Sequence, residues 1–88
     1  MNVKHTPAPW KVGQDKTAIE ASGAIIARIF HWANQYTPIH ESHANAKLIA
    51  AAPDLLIALR EAVEIIEGTG LDATAQREAI IKATGESK

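Results

Sequence analysis

Apolar and polar positions change rhythm near residue 40. Before it, short β-prone runs alternate with proline and glycine; after it, alanine, leucine and charge recur at helical spacing. The stretch "HTPAPW" (5–10) stiffens the start. Trp10-Lys11-Val12 is read as a first strand and "GQDK" (13–16) as its turn. "TAIEA" (17–21) alternates as a strand, with Thr17, Ile19 and Ala21 on one face. Ser22-Gly23 suits a two-residue hairpin turn. "AIIARIFHW" (24–32) has bulky apolar groups at both parities, which predicts a strand buried on both faces, the second by a partner subunit.

"ANQYTPIHE" (33–41) reads as a loop, and Ser42 as the N-cap of a helix through "HANAKLIAAA". Pro53 cannot continue that helix. Followed by acidic Asp54, it predicts a fresh helix over 53–67. Leu55, Leu56, Leu59, Ala62, Val63 and Ile66 make one broad stripe on that helix, while Ile57 and Ile65 fall off it and predict a second covered surface. Gly68 closes it, Asp72 is the expected cap of a last short helix, and Gly85 ends that one.

These elements predict an α+β fold: a three-stranded antiparallel sheet in the N-terminal half packed against two or three C-terminal helices. We expect a single domain over 1–88, β-rich over 5–32 and helical over 42–84. Composition tempers the core. Of the 47% apolar residues, seventeen are alanine, so little bulky side chain is left to bury. With no cysteine, neither a disulfide nor a thiolate ligand is available, and a homo-oligomer is the expected source of further stability. A net charge of −1 argues against a DNA or RNA polymer as partner. No apolar run is long enough to span a bilayer and no signal-peptide core is evident, so a cytoplasmic location is expected.

Candidate chemistry is sparse. His31, His40 and His43 cluster in sequence, but "HESH" lacks the spacing of a zinc-protease motif, and no metal site is expected. Ser22, Ser42 and Ser87 lack a nucleophile-elbow context. Glu61, Glu64 and Glu67 are spaced as a solvated helix face, and "GTG" (68–70) follows a helix rather than a strand. No catalytic residues, no cofactor and no enzyme activity are therefore expected. Stacking is the better candidate. Trp10, Trp32, Tyr36 and Phe30 share the β half and its exit loop with Lys11 and Arg28, a combination able to hold a base and its phosphate. For Trp10 the core is the stronger reading, since it is among the largest apolar groups present, while Tyr36 in its polar loop is balanced more evenly between core and ligand. Asn45 sits awkwardly among small residues, where its amide competes with the backbone, and is a candidate for a bond to "HTPAPW" or to a ligand.

The pair "HTPAPW" and "ESHANAKLIAAAPDLLIAL" resembles a group of small phage and prophage proteins that share an HTPxPW opening and an NA(R/K)LIAAAP(D/E)LL helix. The matching positions are His5, Thr6, Pro7, Pro9 and Trp10, then Asn45 through Leu56; Ala8 stands where glycine is frequent. The resemblance implies a phage accessory protein of the kind that counters host defence, some of which are oligomeric sponges for cyclic nucleotide signals. On that implication the expected ligand contacts are Trp10, Lys11, Arg28, Trp32, Tyr36, Asn45 and Lys47. The alternative is a protein–protein interaction module that inhibits a host or phage protein through its surplus apolar helix face, Ile57 and Ile65.

Overall fold

Three short strands form one antiparallel sheet in the order β1-β2-β3: β1 is Lys11–Val12, β2 is Ala18–Ala21 and β3 is Ala24–Arg28. The structure is a computed structural model, and it describes residues 5–30 and 38–86. The first turn closes through the Lys16 N–H on the Gly13 carbonyl (3.0 Å) and the Gly13 N–H on the Ala18 carbonyl (2.9 Å). Asp15 holds it from inside. Its Oδ1 accepts the N–H groups of Thr17 and Ala18, each at 3.0 Å, and its Oδ2 takes the Arg28 guanidinium from β3. A single carboxylate thereby ties the β1–β2 turn to the outer strand. The second turn is the expected Ser22-Gly23 pair. Both residues have positive φ (54° and 81°), the backbone that matches the twist of a tight hairpin.

Strand β2 is central and carries the core of this unit: Ala18, Ile19 and Ala21 are buried. Strict alternation does not survive. Ile19 pairs with Ala27 but Glu20 with Ile25, so Ile26 has no residue opposite it and β3 bulges there. Helix α1 (Ile39–Ala50) packs on β1 and β2 through its small face, where Ser42 and Ala46 are completely buried.

Two expectations need correction. The outer strand ends at Arg28 rather than Trp32, and within the single chain it is exposed along most of its length, without the helix cover expected on one face. The reason is its place at the edge: β2 flanks it on one side, and α1 covers β1 and β2 instead. Ser42 is not a cap either. The helix starts at Ile39 behind Pro38, whose carbonyl accepts the Ser42 N–H at 2.9 Å, so Ser42 lies inside the first turns with its hydroxyl buried and without a hydrogen-bond partner among the described residues.

The fresh start at Pro53 is present: α1 is capped at Ala51, and α2 runs Ala52–Gly68 with Pro53 and Asp54 in its first turn. Helix α3 (Thr74–Thr84) ends at Gly85 in the left-handed conformation (φ 74°), its N–H on the Ile81 carbonyl at 2.7 Å. Its cap position is Ala73, but Asp72 does the work expected of it one residue earlier, accepting the Thr74 N–H at 3.1 Å. The described residues group into two compact units. One is Thr6–Pro53, the sheet with α1; the other is His5 with residues 54–86, the helical hairpin.

Candidate functional site

The residues expected to bind a ligand divide unevenly. Trp32 and Tyr36 lie outside the described residues, as does His31. Trp10 is half-buried, and its indole N–H donates to the Thr6 carbonyl at 2.9 Å, closing "TPAPW" on itself around a cis Ala8–Pro9 peptide. That bond anchors the ring to its own loop. Lys11 on β1 and Lys47 on α1 are both exposed, and the packing of α1 on β1 places their elements side by side. Arg28 sits two strands from Lys11, at the far edge of the sheet, and its guanidinium is engaged with Asp15. The Asp15 carboxyl is held well below the ordinary carboxylate range, first by the Thr17 and Ala18 N–H groups and then by Arg28. Asn45 is exposed on α1, although it neighbours the buried Ser42 and Ala46. Among the described residues, no three histidine or carboxylate side chains converge as a metal site would require.

The helical unit holds a concavity. Between α2 and α3 lies a half-open cavity of about 590 Å³. Its apolar lining comes from Val63 on α2 and from Ile80 and Ile81 on α3, with the Thr84 side chain beside them. The sequence explains why it stays open. Ile80 and Ile81 are adjacent, so they point about 100° apart on a helix and cannot both face the same neighbour squarely. Val63 is buried while Ile81 is 37% exposed. Charge pins the two ends of the hairpin. Arg77 near the start of α3 makes a two-pronged bond to Glu67 late in α2, and Arg60 in α2 reaches Glu86 beyond α3 at 3.9 Å. The Arg77 bond lowers the Glu67 pKa, and the Glu67 carboxylate raises that of Arg77 in turn.

Both cavity arginines are therefore matched by carboxylates, while Glu64 lines the same cavity. Among the described residues, no aromatic ring lines it for a nucleobase to stack on. Its arrangement suits an aliphatic side chain entering between charged rims. Sequence reasoning did not find this site. The available signal was the Ile80-Ile81 pair, whose excess over a single stripe marks a surface the hairpin alone does not cover.

Helix α2 itself is more apolar than its own packing uses. Ile57 (51% exposed) and Ile65 (70% exposed) lie roughly 120° and 160° around the helix from Val63. They flank Glu61 on the outer side, so the second covered surface expected from their position is open to solvent in the single chain. No helix among the described residues is long and apolar enough to cross a membrane.

Comparison with known proteins places the chain by family alone. No curated protein and no solved structure gives a match. Residues 1–87 do match a protein family described as Salmonella phage P22 protein Y8K6, an agreement over nearly the whole length. The chain belongs to that family of phage proteins.

Proposed function

We propose that this phage protein is a non-enzymatic binding protein whose helical unit docks onto another protein, of the host or of the phage, and inhibits it. The observation that carries the reading is α2. A helix apolar beyond one stripe is ordinarily covered on more than one side, yet here Ile57 and Ile65 face outward. Phage membership supports the setting, since small phage proteins act largely by binding, and counteraction of a host defence is the role we assign. Proteins captured by the tagged chain from infected cells, compared with those captured by an Ile57→Asp/Ile65→Asp variant, test the proposal. The expected result is one specific partner retained by the wild type and lost by the folded variant. An unchanged capture pattern overturns it.

A second reading, an oligomeric sponge for a cyclic nucleotide signal, is favoured by the exposed cations Lys11 and Lys47 on adjoining elements. It has less to stand on, because the Trp10 indole N–H and the Arg28 guanidinium are committed within the chain. Calorimetric titration with cyclic di- and trinucleotides decides it. Heat abolished by Lys11→Ala/Lys47→Ala supports the sponge, and no heat with any member of the panel removes it.

A further inference from the structure

We infer that the cavity between α2 and α3 takes an aliphatic side chain from a basic amphipathic segment of a partner protein. The inference rests on the binding role proposed above but assigns a different surface from the outer face of α2. Its first support is shape and lining. About 590 Å³ is room for several aliphatic side chains of one segment, and the lining contributed by Val63, Ile80 and Ile81 is apolar. Helix-in-groove recognition uses this combination: an apolar slot between two helices that receives anchors spaced at helical intervals.

The second support is charge, and it selects the partner's sign. Residues 54–88 carry seven carboxylates (Asp54, Glu61, Glu64, Glu67, Asp72, Glu78, Glu86) against four cations, Arg60, Arg77, Lys82 and Lys88, which leaves a net −3. Residues 1–53 carry Lys4, Lys11, Lys16, Arg28 and Lys47 against Asp15, Glu20 and Glu41, a net +2. The near-neutral total for the whole chain hides this division. At the cavity itself Arg60 and Arg77 are matched by Glu86 and Glu67, which leaves Glu64 at the rim to meet a cation. An acidic segment would face it with like charge. A segment with lysine or arginine beside its anchor satisfies it and gains association rate from the negative charge of residues 54–88.

The test is chemical-shift mapping on the full chain. It uses two synthetic amphipathic peptides with the same leucine face, one carrying lysine and the other glutamate on the polar face. The basic peptide is expected to shift the amides of Val63, Ile80, Ile81 and Thr84, with an affinity that weakens as salt is raised from 50 to 300 mM. Glu64→Lys, at an exposed site, should weaken binding by about three- to tenfold while leaving the spectrum of the free protein otherwise intact. Ile81→Lys should abolish the response. An equal response to the acidic peptide, or none at the cavity residues with the basic one, overturns the inference. Shifts confined to Ile57 and Ile65 also overturn it, yet leave the outer-face binding role standing; loss of the captured partner in the Ile57→Asp/Ile65→Asp variant tests that role separately.

Discussion

The two units solve the shortage of bulky side chains in different ways. The sheet with α1 closes on small residues: Ala18, Ala21, Ser42 and Ala46 let β2 and α1 approach closely around Ile19, which is fully buried. Its loops are held by hydrogen bonds to the Asp15 carboxylate and from the Trp10 indole. The helical hairpin buries Val63 and Ala73 and pins its ends by ion pairs. Both units leave large apolar groups at the surface, Ile25, Phe30, Ile39 and Leu48 in the first and Leu55, Ile57, Ile65, Leu71 and Ile81 in the second. The first is closed by interlocking small residues, the second by charge at its ends.

The contrast breaks most readily at Ile19. Truncation to alanine there is expected to cost about 2–4 kcal/mol, a large fraction of the stability of so small a chain. Thermal unfolding followed by circular dichroism reads it, and a loss below about 1 kcal/mol would show that the sheet unit has no tight core. Next in size is Asp15. Its carboxyl pKa is depressed in the folded state, so its contribution is complete above the unfolded value near 4 and is lost as pH falls below that. Asp15→Asn keeps an acceptor oxygen but removes the charge. Its melting temperature should be lower at pH 7, and the gap to wild type should narrow as pH drops from 4 to 2; a constant gap would contradict the ion pair with Arg28.

A smaller effect of opposite sign is expected at Ser42. A buried hydroxyl without a partner opposes folding, and alanine is the better helix residue, so Ser42→Ala should stabilise by about 1 kcal/mol. Destabilisation by that variant would mean the hydroxyl has a role the packing does not show. The smallest effect belongs to Ile65. Because it is 70% exposed, Ile65→Ala should change the unfolding free energy by no more than about 0.5 kcal/mol, even though the same residue is proposed to bind. A large loss there would make it a core residue and erase the contrast.

Much of the architecture was legible from residue pattern. The α+β class, the strand order and the helix restart at Pro53 follow from punctuation by Gly, Pro and Asp, whose backbone preferences act locally. What misled were signals whose meaning depends on neighbours. "AIIARIFHW" is apolar at both parities, but whether such a strand is covered depends on which helix crosses it, and α1 crosses β1 and β2. Ser42 carries a cap residue's chemistry, yet Pro38 begins the helix four residues sooner. The candidate ligand set fared similarly. Arg28 reads as a free cation until the turn folds and Asp15 claims it, a contact across thirteen residues that periodicity does not encode. The cavity between α2 and α3 was hidden because its polar rim and apolar lining come from two helices, each unremarkable alone.

Hydrogen–deuterium exchange on the complex with the protein captured from infected cells tests whether the helical hairpin binds while the sheet unit supports it. New protection is expected in the amides of α2 and α3, with β1, β2 and α1 unchanged from the free chain. Protection centred on Lys11 and Lys47, with α2 and α3 exchanging as before, would contradict it.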